Sequence, residues 1–367
     1  TDIDQSQAFT RHIPFYILLN LYSAFIVVQN ILFVPIHRVA ISYLHQPRHD
    51  GVIMRNGWHV GVVIPAKNEE DFISQVITSL PNFVDSVVVV DDGSVDNTGM
   101  IIQELANKMT TLEIIRLSGN GVGSAIDAGH QKMLKLLPEP FVSVVMAGDG
   151  QMDPKDLKFL LEPITKNQAD YAKGNRFIHQ DGPSGMPYVR QLASIVLGFF
   201  TTLAAGRQVT DPQCGYTATS YRVLNQWDWS KSWKSYGYPN YWLIELSRLS
   251  LRVVEVPVKS IYGDEKTGII MPKFFLGVGF MMLLMHHKRC FSMLLSRSVA
   301  PHTILSFIAY IMGWIAIIPG ISTDLEDEVT GSFISKLVLL LICWSSAHIL
   351  DRLAVVSRTE LRVNAQT

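Results

Sequence analysis

Three short stretches gather the residues best suited to chemistry: Pro65-Ala66-Lys67-Asn68-Glu69-Glu70, Asp91-Asp92-Gly93-Ser94-Val95-Asp96-Asn97-Thr98, and Ala147-Gly148-Asp149-Gly150-Gln151-Met152-Asp153-Pro154. Carboxylate and amide oxygens are what a hard, phosphate-bridging divalent cation binds. Each stretch alone also reads as a turn with a helix cap, because Asp, Asn and Ser accept backbone N–H bonds. A fourth stretch, Gly119-Asn120-Gly121-Val122-Gly123-Ser124, lacks the spacing of a dinucleotide fingerprint. It suits backbone approaching a phosphate and backbone approaching a neighbouring helix equally well. No GxxxxGK[ST] occurs, which excludes a P-loop.

The elements that position these stretches are legible around them. Each follows a run rich in β-branched residues: HVGVVI (59–64), SVVVV (86–90), LEIIRL (112–117) and FVSVVM (141–146). Segments of helical spacing, such as 69–80 and 98–109, lie between the runs. Strand–helix alternation with nearly unbroken apolar strands predicts a mostly parallel sheet covered on both faces. Ligands of such sheets bind beyond the carboxyl ends of the strands, where all these stretches fall.

The rest of the chain is greasier. Of 367 residues only 17% are charged while 48% are hydrophobic, with a mean hydropathy of +0.21. That excludes a disordered chain. A net charge of −1 provides no general field for nucleic acid. Cys214, Cys290 and Cys343 are too dispersed for a zinc site or a disulfide framework. Charge-free runs at 13–36 and 299–321, and a third at 333–350 interrupted by Lys336 and His348, predict three membrane spans. Basic residues follow the first run and precede the second, whereas the 321–332 loop carries Asp324, Glu326, Asp327 and Glu328. Positive-inside bias puts the central region in the cytoplasm and the N-terminus and acidic loop outside. The stretch 272–295 reads as helix lying in the membrane interface, with a tilted span as its rival. The predicted organisation is a span and linker over 1–50, a catalytic domain over 58–260, interfacial helices over 261–298, and a membrane hairpin with tail over 299–367.

In order and spacing, PAKNEE, VVVVDDGSVDNT, GNGVGSAIDAGH and GDGQMDP resemble family 2 inverting glycosyltransferases of GT-A fold. AKGNRF (172–177), DPQCG (211–215) and VVEVPV (253–258) narrow the resemblance to the polyprenyl-phosphate branch, typified by dolichyl-phosphate mannose synthase. The resemblance covers about 60–268 and implies an α/β GT-A (nucleotide-diphospho-sugar transferase) domain with transmembrane and interfacial helices. It implies transfer of a hexose, mannose or glucose, from a GDP- or UDP-sugar to a polyprenyl phosphate at the bilayer, with no nucleic-acid partner. By the same resemblance, Pro65, Glu69, Asp91 and Asp92 line the nucleotide pocket, and Asp92 faces the base. Asp149 and Gln151 hold Mg2+ or Mn2+; Arg176, Arg190 and Ser194 grip the acceptor phosphate; Asp211 sits near the sugar or positions the acceptor. On their own the two arginines also read as surface ion pairs.

One departure bears on the metal. Ala147 stands where the family usually carries the first aspartate of D-x-D-x-Q, so one carboxylate ligand is missing. Magnesium accepts this, because it keeps waters and takes one or two carboxylates plus substrate phosphates. Val122 likewise replaces a basic residue common in the family's glycine-rich turn. Between the arginines, IHQDGPSGMPYV (178–189) predicts an irregular loop. Two rival functions remain open: a lipid-hydroxyl glycosyltransferase with Asp211 as base, and a degenerate, non-catalytic membrane scaffold. The QxxRW signature of processive synthases is absent.

Overall fold

A computed structural model describes residues 57–262, 271–296, 299–317 and 333–364. The expected first span at 13–36 and the acidic loop lie outside the described residues. The chain divides into two compact units. The larger takes the described residues of Val39–Ala205 and Val209–His286; the smaller takes those of Gly206–Gln208 and His287–Thr367.

The larger unit is built on seven strands: β1 (His59–Ala66), β2 (Ser86–Asp91), β3 (Leu112–Arg116), β4 (Phe141–Val145), β5 (Tyr171–Asn175), β6 (Thr217–Ser220) and β7 (Val253–Pro257). Their order across the sheet is β3-β2-β1-β4-β6-β5-β7. The pairings β1–β2, β1–β4, β2–β3 and β5–β7 are parallel, while β6 runs antiparallel to both β4 and β5. The β-branched runs of β1, β2 and β4 are buried on both faces, as their unbroken apolar character requires.

Alternate strand residues feed two cores. Val60, Val62 and Ile64 pack with α1 (Ile73–Thr78), α2 (Thr98–Ala106) and α4 (Leu157–Thr165). Val63, Val88 and Val90 pack on the other face with α3 (Val122–Leu136), α5 (Tyr188–Ala205), α7 (Tyr238–Arg248) and the first part of α8 (Met271–Leu294); α6 (Tyr221–Leu224) adds to that core. Aromatic residues of 227–242 join this core: Trp227 and Trp242 stack at 3.8 Å, and both are buried with Tyr241.

Chain order reverses between β1 and β4, since β1 leads outward to β2 while β4 lies on its other side. This opens a crevice at the carboxyl ends of these two strands, where sheets of this kind take ligands. Backbone bonds from Met146 to Val63 and from Gly148 to Pro65 hold its walls together.

The stretch 271–294 forms one continuous helix rather than two. Val278, Met281, Met282 and Met285 are buried on it, while Leu276, Phe280, Leu283 and Leu284 are exposed. A similar stripe runs along α5, where Tyr188, Leu192, Val196 and Phe200 recur every four residues on the exposed side. Among the described residues, two helices are long and apolar enough to cross a membrane, Tyr188–Ala205 and Ser335–Asn364. The first of these was not anticipated from the sequence, and nearly half of it is buried.

In the smaller unit α9 (Pro301–Ile317) packs along α10 (Phe333–Asn364), which continues without a break through the expected tail. Tyr310 stacks on Trp344, and Gly313 lets the Trp344 ring lie against the α9 backbone. Arg289 and Asp351 form a buried two-pronged ion pair at 2.9 and 2.6 Å.

Candidate active site

The loops after β1 and β2 are stapled to each other. Glu69 N–H donates to the Thr98 hydroxyl at 2.7 Å, and Asn68 N–H donates to that of Ser94 at 3.0 Å. Asn97, through its backbone and side chain, donates to Glu70. Asp91 is buried, and its carboxylate accepts from Ser94 N–H at 2.9 Å. The two oxygens of buried Asp92 accept from the backbone N–H groups of Asn120 and Gly121 at 2.7 and 2.8 Å. The acidic residues expected in the nucleotide pocket are thus brought together with the glycine-rich turn. Asp91 braces its own turn, and Asp92 the glycine-rich one, through backbone amides.

The glycines of that turn answer to packing. A Cβ on Gly123 would fall 2.2 Å from the Trp233 carbonyl oxygen, and one on Gly121 would fall 2.5 Å from that of Lys234. Lys234 supplies that carbonyl to the Gly123 and Ser124 N–H groups, while its amine pairs with buried Asp127 at 2.7 Å. His130, farther along α3, bonds the Ser143 hydroxyl at 2.8 Å, and burial pushes its imidazole down to about 3. It is therefore a neutral core residue.

Asp149 and Gln151 lie half-buried in the loop leaving β4, with Gln151 N–H donating to Asp149 at 3.0 Å. A carboxylate and an amide carbonyl form a hard oxygen pair. It fits Mg2+ or Mn2+ that draws its other ligands from diphosphate and water. Ala147 adds only a methyl group, so the pair is the whole D-x-D-x-Q donor set in this loop.

Beyond β5 the charges become dense. Asp211 is fully buried and accepts from three N–H groups of Arg176: the backbone at 3.0 Å, Nε at 2.8 Å and Nη2 at 2.8 Å. Burial alone would raise the Asp211 carboxyl, but the guanidinium and its hydrogen bonds outweigh this and hold it below its usual range. Arg176 Nη1 donates to the Tyr262 hydroxyl at 2.6 Å, and Arg190 stacks over the Tyr262 ring at 5.5 Å. Ser194, one turn beyond Arg190 on α5, is buried. The loop between the arginines is a series of turns, pinned where the Gln191 side chain donates to the buried Met186 carbonyl.

Beneath Asp211 lies a network that the sequence did not single out. Glu255 accepts from Thr210 N–H and hydroxyl, Asp211 N–H and the Asn175 amide. The Lys173 amine is fully buried and donates to the Cys214 carbonyl. Burial lowers the Lys173 amine and raises the Glu255 carboxyl. The available signal was a Lys in β5 and a Glu in β7, which register places side by side. A cavity of about 320 Å3 lies nearby, between residues 153–159, the 179–181 turn and Lys259. It contains none of the site residues expected from sequence.

A mostly parallel α/β sheet with acidic loops at its switch point is of the GT-A-like type. The chain belongs to glycosyl transferase family 2, whose profile matches residues 61–227. It is 32% identical over 217 residues to the UDP-N-acetylglucosamine–dolichyl-phosphate N-acetylglucosaminyltransferase of Methanococcus voltae, covering 55% of this chain and 86% of that protein. It is 31% identical to the dolichol-phosphate mannosyltransferase of Pyrococcus furiosus, over 45% of this chain and 47% of that one. It is 29% identical to the undecaprenyl-phosphate mannosyltransferase of Micrococcus luteus, over 53% and 81%. Among solved structures, glucosyl-3-phosphoglycerate synthase of Mycobacterium tuberculosis matches 67% of this chain and 86% of its own at 19% identity, with a TM-score of 0.48.

Proposed function

We propose that this chain transfers a hexose from a nucleotide-sugar to a polyprenyl monophosphate at a membrane surface, with inversion at the anomeric carbon. A phosphate oxygen of the acceptor attacks the anomeric carbon; the bond from that carbon to the diphosphate breaks, and the nucleoside diphosphate leaves with the electron pair. A phosphate monoester with a second pKa near ~6 is largely dianionic at neutral pH, so the attack needs no strong base. What it needs is cationic positioning of an anion beside an anionic donor. Guanidinium forks suit phosphate better than amines.

The observation that carries this reading is the arginine pair joined at Tyr262. Arg176 has five N–H groups on its side chain, and three are engaged by Asp211 and Tyr262. The other two are available to a phosphate. Arg190 and Ser194 come from α5, whose opposite side carries the exposed apolar stripe suited to a lipid surface. Asp149 and Gln151 would hold Mg2+ or Mn2+, which when bound offsets charge on the departing diphosphate. Pro65, Glu69, Asp91 and Asp92 form or brace the donor side. The relatives that act on dolichyl or undecaprenyl phosphate support the acceptor class. Three spans, a cytoplasmic 58–260 domain and the division at 261–298 and 299–367 complete the proposal.

The lipid-hydroxyl alternative is less well supported. Asp211 would be its base, yet both its oxygens already accept from Arg176 and its carboxyl is held below the usual range. The scaffold alternative leaves the buried Arg176–Asp211 pair without a purpose at a sheet edge. Purified full-length chain is incubated with GDP-mannose, UDP-glucose or UDP-N-acetylglucosamine, each with prenyl monophosphate, prenol or neither. The lipid product is read by mass spectrometry. Sugar appearing on the monophosphate alone is the expected result; transfer to prenol, or to nothing, refutes the reading.

A further inference from the structure

Tyr262, shortly after β7, contacts both arginines of the proposed acceptor site. Its hydroxyl accepts from Arg176 Nη1 at 2.6 Å, and its ring face lies 5.5 Å from the Arg190 guanidinium carbon. The two arginines differ in how else they are held. Arg176 is locked edge-on by Asp211 through two side-chain bonds of 2.8 Å each. Arg190, among the described residues, forms no ion pair, and the Tyr262 ring is the contact that orients it. A long cationic side chain without such a contact samples many rotamers, and binding must then freeze them.

We propose that Tyr262 is the positioning residue of the acceptor site: its hydroxyl fixes Arg176, its ring fixes Arg190, and together they set both guanidinium groups on one phosphate monoester. The inference rests on the acceptor reading of the preceding subsection. Burial raises the Tyr262 phenol, although Arg176 draws it down. The phenol therefore keeps its hydrogen at neutral pH. Because its oxygen accepts from Arg176, that hydrogen remains to be donated outward. A phenylalanine would keep the stacking face but lose the hydroxyl; a leucine would lose both. The two halves of the role are therefore separable.

The experiment is titration calorimetry of geranyl monophosphate into the detergent-solubilised full chain, for wild type, Tyr262→Phe and Tyr262→Leu. KM values for donor and acceptor and the melting temperature of each form are measured alongside. Tyr262→Phe is expected to weaken geranyl phosphate about tenfold, the effect of one hydrogen bond to a charged group. Tyr262→Leu is expected to weaken it by a further severalfold as the Arg190 stack is lost. In both, donor KM stays at the wild-type value, and the melting temperature falls by no more than the few degrees that the lost Arg176 bond and ring contact cost. Equal affinity in all three forms overturns the role of Tyr262 while leaving the acceptor reading intact. A parallel fall of donor affinity, acceptor affinity and melting temperature also overturns it, since Tyr262 would then be structural. Wild type that binds nucleotide but not geranyl phosphate overturns the acceptor reading itself, and this inference with it.

Discussion

The Arg176–Asp211 pair is the most informative place to perturb. Asp211→Asn keeps the shape of the side chain and removes its charge. In the native chain the Asp211 carboxylate is fully buried and receives three N–H groups of Arg176, and the Arg176 side chain is only 16% exposed. Buried Lys173 also bears on Asp211 electrostatically, and the change leaves the Arg176 guanidinium facing a neutral amide. Breaking a buried pair by removing one partner costs about 3–5 kcal/mol, mostly as an uncompensated charge. For a unit of roughly 150–250 residues each kcal/mol shifts Tm by about 2–4 °C, which gives a fall of about 6–20 °C. Arg176→Met combined with Asp211→Leu removes both charges and is expected to recover much of the stability but none of the transfer activity. The assay is thermal unfolding of wild type, Arg176→Met, Asp211→Leu and the double variant, which close a cycle, with Asp211→Asn and turnover measured in parallel. A coupling below about 0.5 kcal/mol, within ordinary additivity error, would refute the claim that these groups act as a unit. So would an Asp211→Asn form that unfolds with the wild type.

Ala147→Asp restores the missing carboxylate beside Asp149. Since ligand charge count tunes affinity, the Mg2+ concentration giving half-maximal transfer should fall roughly tenfold, and an unchanged value would contradict the two-ligand donor set. His130 sets a pH slope: its folded pKa of about 3 lies below its ordinary 6.5, so the unfolded chain binds the extra proton between those values. Its contribution is fully present above pH 6.5 and is lost as pH falls, by about 1.4 kcal/mol per pH unit. Denaturation at pH 7 and pH 5 should show that component vanish in His130→Gln, and an equal slope in both proteins would rule out a buried neutral imidazole.

The first half of the sheet was readable because its chemistry is uniform. Runs such as SVVVV suit only a strand covered on both faces, and the structure places β2 at Ser86–Asp91. The acidic stretches could be put on one edge for the same reason: a parallel sheet sends every such loop to one end. Their individual tasks were less legible, because a carboxylate serves a backbone amide as readily as a ligand. Asp92 spends both oxygens on Asn120 and Gly121, which a composition argument does not distinguish from facing a base. Gly121 and Gly123 had the same ambiguity between phosphate and packing, and it is the close carbonyls of 233–234 that account for them.

The second half was hidden by its own function. β5 reads YAKGN, whose Lys, Gly and Asn argue against a central strand, and β6 is only the four residues TATS. Such residues persist in a sheet interior only where a network satisfies them, since an unpaired buried amine or carboxyl is costly. Here the register sets Lys173 beside Glu255, and Thr210, Asn175 and Asp211 complete the partners. Glu255 accepts from Asp211 N–H, Thr210 and Asn175 donate to Glu255, and Lys173 bears on Asp211 electrostatically, so the network converges on the residue that fixes Arg176. A polar strand interior is thus the structural requirement for holding a guanidinium still at a sheet edge. That is why local propensity fails at the place where the acceptor phosphate is proposed to bind.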